Sequence, residues 1–162
     1  IWPSLASRVE NSTNRILELL ENTHTKATFF VLASVARKHK QLITEISQNG
    51  HEIASHGYRH HLAYEQTPHA FTRDIQQSKK LLEDIIGKQV LGYRAPNFSI
   101  TEKNPWAYDV LIESGYTYNS STYPVWHPRY ANLNAPRFIF TREINGKNLL
   151  ELPLATHQLT FS

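Results

Sequence analysis

The strongest constraint on this chain is an alternation: short apolar runs suited to strands are separated by stretches with helical spacing. The first run, Ala27-Thr28-Phe29-Phe30-Val31-Leu32, is nearly continuous and rich in β-formers, the pattern expected of a strand buried on both faces. Residues 51–55, 90–93, 116–119 and 148–152 read as further strands. Helices are predicted over 11–23, 34–48, 67–86 and 105–114. Ile16, Leu19 and Leu20 share one apolar face of the first, expected to face inward, and Val35, Leu42, Ile43 and Ile46 point inward in the second. Phe71, Ile75, Leu82 and Ile85 mark the long third helix, and Gly50, Gly87 and Gly115 follow the ends of three helices. Strands alternating with helices imply a parallel sheet, either open or closed into a barrel.

The 162 residues suffice for one domain with a full core and are too few to suggest two. No apolar run approaches the roughly 20 residues needed to span a bilayer, and no stretch resembles a signal peptide. The net charge of +3 is mild, with lysines and arginines scattered rather than gathered into a stripe, which argues against a nucleic-acid partner. With no cysteine in the chain, any metal must be held by His, Asp or Glu, and the compartment stays open. The chain begins at Ile1 and contains no methionine, so we expect a piece of a longer polypeptide.

Three polar clusters follow three predicted strands. His56 and His60 come after the second, Arg94-Ala95-Pro96-Asn97 after the third, and Asn119-Ser120-Ser121 at the end of the fourth. Ligand sites of α/β barrels and open α/β sheets lie at the carboxyl ends of strands. Packing does not account for three such clusters at one rim, and together they suggest one site.

The segment His51-Glu52-Ile53-Ala54-Ser55-His56-Gly57-Tyr58-Arg59-His60-His61 holds four of the nine histidines. Gly57 lets the loop bend so that His56 and His60 can turn toward one point. Two neutral imidazoles with a carboxylate suit Zn²⁺ or a related divalent ion and leave positions open for water and substrate. Spacing alone nonetheless favours a solvated loop whose histidines bond to backbone or water. His51 and His61 read as structural, and His24, His39 and His69 as surface residues near or on helices.

Beyond spacing, the run Ala27–Leu32, the segment from Gly50 to His60, and Tyr93-Arg94-Ala95-Pro96, in this order, resemble the polysaccharide deacetylase family. This is the NodB-homology domain of carbohydrate esterase family 4. Phe98-Ser99-Ile100, Tyr118-Asn119-Ser120-Ser121 and Pro136-Arg137-Phe138 are similar to its subgroup associated with exosortase-linked exopolysaccharide systems. The resemblance implies a distorted (β/α) barrel, and a single domain over residues 1–162 that is incomplete at both ends. It further implies a metal-dependent hydrolase that removes N-acetyl groups from a polysaccharide or oligosaccharide.

Carried over by position, His56 and His60 match the family's metal-binding histidines, for Zn²⁺ or for Co²⁺ or Ni²⁺ in its place. Arg94 matches the arginine that orients the catalytic base, Pro96 the groove-wall proline, and Asn97 the residue whose backbone N–H serves the oxyanion. Tyr93, Tyr123, Trp126 and Tyr130 could stack on sugar rings, and the aromatic and basic segment Tyr123-Pro124-Val125-Trp126-His127-Pro128-Arg129-Tyr130 is the candidate loop for substrate recognition, with His127 and Arg129 among its contacts. Trp106, on a helix, reads as packing.

Two family features are absent. An acidic pair on a first strand, giving base and third metal ligand, has no counterpart in residues 1–10, where only Glu10 is acidic. Leu154-Ala155-Thr156-His157 spells the closing Leu-x-x-His motif but falls too early, and we read it as coincidence. The segment alone is therefore expected to be inactive. Asn119 also stands where relatives usually carry aspartate. Two alternatives remain: a small cyclic-amide hydrolase resembling allantoinase, and a non-catalytic carbohydrate-binding protein of the same fold.

Overall fold

The computed structural model describes residues 8–126 and 134–157. In chain order the elements are α1 (Val9–Asn22), β1 (Thr28–Val31), α2 (Ala33–Ala36), α3 (Lys40–Gln48), β2 (Glu52–Ser55) and α4 (Pro68–Ile86). They continue with β3 (Gly92–Tyr93), α5 (Trp106–Glu113), β4 (Tyr118–Asn119), β5 (Phe140–Ile144) and β6 (Lys147–Glu151). The six strands form one sheet in the order β1-β2-β3-β4-β6-β5. All neighbours pair in parallel except β5 and β6, which form an antiparallel hairpin at one edge.

Side chains alternate between the two faces of a strand, so each face can be read from burial. Ile53 and Ser55 of β2 and Leu149 of β6 are buried on one face, where α3 and α4 pack on β2 and α5 packs on β6. Helix α4 contributes Phe71, Ile75, Ser78 and Leu82. Its start is fixed by Thr67, whose hydroxyl accepts a hydrogen bond from the Ala70 N–H (3.2 Å), with Pro68 in the first turn. Tyr93 sits against Phe71 and Tyr116, with ring centroids 5.9 and 5.5 Å away, at the centre of this layer. The opposite face carries Thr28, Phe30, Glu52 and Tyr118. The arrangement is that of a (β/α) barrel opened along one side.

Five sequence expectations need correction. Ile16 and Leu19 of α1, expected to face inward, are exposed, and Leu17 is the buried residue of that helix. Strand β1 is not buried on both faces: Thr28 is exposed and Phe29 and Phe30 are partly buried, because β1 is an edge strand among the described residues. The helix expected over 34–48 is two helices, broken at Arg37-Lys38-His39, and α2 buries Ala33 and Ala36 rather than Val35. His39, expected on the surface, is partly buried, with Nδ1 2.8 Å from Glu10 Oε1. The hairpin strand β5 is absent from the sequence reading, although Asn145-Gly146, with φ values of 52° and 73°, is the turn that matches strand twist.

On the open face, Thr28 and Tyr118 donate hydrogen bonds of 2.6 and 2.7 Å to the two carboxylate oxygens of Glu52. The Tyr118 ring reaches Glu52 by crossing Gly92, its register partner on β3. A Cβ at position 92 would lie 1.9 Å from the ring carbon Cζ of Tyr118. Gly92→Ala should therefore lower stability by about 3 kcal/mol or more in urea unfolding, since an overpacked core has to shift backbone or side chain. In a Tyr118→Ala background most of that loss should vanish. An equal loss in both backgrounds would show that the ring is not what the glycine accommodates.

Candidate functional site

The parallel ladder sets the site. His56 N–H donates to Val31 O (2.9 Å), Arg94 N–H to Ser55 O (2.9 Å), Ser120 N–H to Tyr93 O (2.8 Å) and Leu152 N–H to Asn119 O (2.8 Å). The residues that follow β2, β3, β4 and β6 are thus held at one level, and the three polar clusters of the sequence meet there.

The loop carrying the two histidines is pinned from several sides. Gly57, at φ 78°, offers its carbonyl to the Ala33 N–H (3.0 Å) and the Ser78 hydroxyl (3.1 Å). Tyr58 offers its carbonyl to the Ser34 N–H (3.0 Å), so the first turn of α2 binds the loop through otherwise unpaired donors. The Tyr58 N–H in turn donates to Asp74 Oδ2 on α4 (3.0 Å). Burial pushes the Asp74 carboxyl above its ordinary value, against the opposing pull of the Tyr58 N–H and of His61.

The His56 and His60 rings stand edge to face with centroids 5.2 Å apart. His60 is at φ 64°, a left-handed conformation that costs energy in a residue with a Cβ. His56 Nδ1 lies 2.7 Å from the carbonyl of Arg94. A carbonyl only accepts, so the proton sits on Nδ1 and the Nε2 lone pair is left free. Burial, and then the neighbouring His60 and Arg94, lower the His56 pKa despite that hydrogen bond and favour the neutral ring. These are the features of a metal-ligating imidazole with its orientation fixed from behind. His61 is well exposed, with Nδ1 3.9 Å from Asp74 Oδ1. Among the described residues no third His, Asp or Glu completes a cluster with the pair.

Arg94 lies over the Phe30 ring, Cζ 4.0 Å from its centroid. Its Nε donates to Ser120 O (2.9 Å) and Nη2 to Ser120 Oγ (2.7 Å). One edge of the guanidinium is committed to Ser120, which leaves Nη1 and the second Nη2 hydrogen as an end-on pair that matches a carboxylate. The following turn places Asn97 and Phe98 at φ 50° and 53°, two consecutive left-handed residues, with Asn97 exposed. Strain of this kind concentrates at functional sites.

Not every expected residue reaches the rim. Tyr93 is 1% exposed and faces the helices, so its ring cannot stack on a sugar. Pro96, in the turn after Arg94, is fully buried and so presents no wall to a groove. Trp126 is 75% exposed; Tyr123 is partly buried, its ring 5.1 Å from that of Phe98. His127, Arg129 and Tyr130 lie outside the described residues. Trp106 packs against Phe71 (5.6 Å), as expected of a core residue. Three contributors escape the sequence reading. Phe30 reads there as core and Asp74 as an ordinary helix position. Glu151 goes unnoticed, although a carboxylate flanked by Leu149, Leu150 and Leu152 is a visible signal.

This geometry, with a parallel sheet, helices on one face and a polar rim at the strand ends, defines a (β/α)-barrel-type site. A profile of the polysaccharide deacetylase family matches residues 4–118, and the chain belongs to that family. A peptidoglycan-N-acetylglucosamine deacetylase of Bacillus cereus is 29% identical over 104 residues, 64% of this chain and 47% of that protein. The chain thus spans about half the length of such curated relatives. A Mycobacterium smegmatis structure, solved as that of a candidate polysaccharide deacetylase, is 27% identical with a TM-score of 0.73, covering 88% of this chain and 45% of that one. The structure of Puue allantoinase shares the fold, at 24% identity and a TM-score of 0.70 over 89% of this chain and 43% of its own.

The loop geometry yields a test. A Cβ at position 57 would meet Asp74 Oδ2 at 2.9 Å, whereas at Gly87, also left-handed at φ 66°, it would meet nothing within 4 Å. Gly87→Ala should cost about 1 kcal/mol from backbone strain alone. Gly57→Ala should cost about 3 kcal/mol because the anchoring carboxylate is displaced as well. Equal costs in urea unfolding would mean that Asp74 does not brace this loop.

Proposed function

We propose that this chain forms part of a metal-dependent deacetylase that hydrolyses N-acetyl groups on a glycan. The observation that carries this reading is the pair His56 and His60 beside Arg94, with His56 Nδ1–H spent on the Arg94 carbonyl and Nε2 free. His56 and His60 would hold a divalent cation, with Zn²⁺ the best match to neutral imidazoles and Co²⁺ or Ni²⁺ as substitutes. Such an ion supplies Lewis-acid activation of water and of the amide carbonyl. Every other role falls to the protein.

Amide hydrolysis needs a base for the attacking water, an acid for the leaving amine and donors for the developing oxyanion. Arg94 is suited to orient a carboxylate base through its free end-on pair, a planar bidentate geometry that lysine cannot copy. The exposed, left-handed turn at Asn97 supports a backbone N–H role at the oxyanion. Trp126, with His127, Arg129 and Tyr130 beyond it, would contribute to glycan recognition. An exopolysaccharide is the substrate class this reading favours. The allantoinase-like alternative shares the fold and metal chemistry and differs in taking a small cyclic amide.

Calorimetry on the full-length protein tests the ligand assignment. His56→Ala and His60→Ala should each weaken Zn²⁺ binding more than about 100-fold, beyond the usual loss for an outer-shell partner, while His61→Ala should change it little. Three equal effects would indicate an unspecific histidine loop. Arg94→Lys should reduce acetate release from an N-acetylhexosamine oligomer about 10- to 100-fold and leave Zn²⁺ affinity nearly unchanged. Ring opening of allantoin without acetate release from any acetylated glycan would overturn the deacetylase reading in favour of the alternative.

A further inference from the structure

Glu151 has a fully buried side chain, and nothing in the chemistry above uses it. Its surroundings connect it to the Arg94 turn. The Ala95 N–H can only donate, and it donates to Ser121 Oγ at 2.8 Å. The Ser121 hydroxyl hydrogen must then point elsewhere, and it goes to Asn119 Oδ1 at 2.6 Å. This orients the Asn119 amide so that Nδ2 faces Glu151, 3.0 and 3.2 Å from its two oxygens. Thr122 adds a hydroxyl donor at 2.8 Å, and Arg142 Nε stands 3.7 Å from Oε1. Asn119 Nδ2 and Arg142 Nε can only donate, and both face Glu151; a carboxylate accepts from Asn119 through both its oxygens and takes the Thr122 hydroxyl as a further donor.

A second arm leaves the next residue. Ser120 Oγ donates to Leu152 O at 2.7 Å and itself accepts from Arg94 Nη2 at 2.7 Å. Strand β6 therefore reaches both the backbone after Arg94 and the guanidinium itself.

We propose that Glu151 is a positioning residue for Arg94, acting through Asn119 and Ser121 on the Arg94–Ala95 backbone, and that it bears the negative charge which position 119 does not carry here. This rests on the deacetylase reading for its catalytic consequence only. An aspartate at 119 would lie about 3 Å from a second buried carboxylate, where both cannot stay ionised. Asparagine at 119 and glutamate at 151 are thus a matched pair, and the inverse pair, aspartate at 119 with glutamine at 151, would satisfy the same partners. In that inverse pair the aspartate would accept from Ser121 and from the glutamine amide, and the glutamine carbonyl would accept from Thr122.

The test is a double-mutant cycle on the full-length, metal-loaded protein, read by turnover, by Zn²⁺ affinity and by the ¹⁵N resonance of Arg94 Nε–H. Glu151→Gln and Asn119→Asp should each lower kcat about tenfold, with KM and Zn²⁺ affinity little changed, and should shift or broaden the Arg94 resonance. The combination Asn119→Asp/Glu151→Gln should restore kcat to within about threefold of wild type and return the resonance to its place. Additive losses in the double variant, or an Arg94 resonance indifferent to Glu151→Gln, would overturn the proposal. Should Glu151→Gln fail to fold, Ser121→Ala cuts the relay while leaving Glu151 and its donors in place; it must shift the Arg94 resonance, and no shift would be equally fatal. If the wild-type protein releases no acetate, the deacetylase reading falls, and the Arg94 resonance in the two single variants and the double still decides the relay.

Discussion

Everything at the rim depends on the register of one row across the sheet. Ser55 pairs with Tyr93, Tyr93 with Asn119 and Asn119 with Glu151, each in parallel neighbours. The side chains of this row point toward the helices and are all buried. Because side chains alternate along a strand, the next row points to the open face, and it consists of His56, Arg94, Ser120 and Leu152. A slip of one residue in any strand would send a buried anchor to the open face and a site residue into the core. Register is therefore not a background property of this fold. It is what brings residues from four separate strands to within one or two hydrogen bonds of each other.

The buried row is unusually polar for its position. Ser55, Asn119 and Glu151 sit where strands covered by helices ordinarily place aliphatic residues, and each is satisfied. Ser55 lies 2.9 Å from Ser78 and accepts from the Gly57 N–H, while Asn119 and Glu151 hold each other. An isolated buried polar group is costly, and a complete network recovers that cost while permitting only one arrangement. Burial raises the Glu151 carboxyl above its ordinary value, against the weaker opposing pull of Asn119, Thr122 and Arg142. Such a layer gains little as hydrophobic core. What it provides is a single fixed geometry for the loops above it.

The division between what the sequence reveals and what it hides follows from range. Helix α4 is legible almost to its ends, because Thr67-Pro68 and Gly87 are local signals and Phe71, Ile75 and Leu82 keep a helical period. The grouping of His56, Arg94 and Ser120 is legible too, since strand ends in a parallel sheet share a rim whatever the details. Facing is not. Tyr93 carries the same aromatic signature whether it meets sugar or Phe71, and only the position of β3 beneath α4 decides that it is buried. β5 is hidden for a similar reason: Phe140 to Ile144 alternates weakly, and it becomes a strand by pairing with β6 through the Asn145-Gly146 turn. Family resemblance marks Asn119 as a departure from the usual residue, but the partner that explains it lies 32 positions away on another strand.

That separation shows how such a site tolerates substitution. Position 119 sees two constraints at once, an acceptor demanded by Ser121 and a partner on β6. Beside a carboxylate at 151 an aspartate meets the first alone and an asparagine meets both. Charge can therefore move from one strand to the next without disturbing Arg94, provided donors and acceptors stay complementary along the chain of contacts. What matters at the Arg94 turn is the pattern of hydrogen-bond polarity that reaches it, and which residue bears the charge is secondary to that pattern.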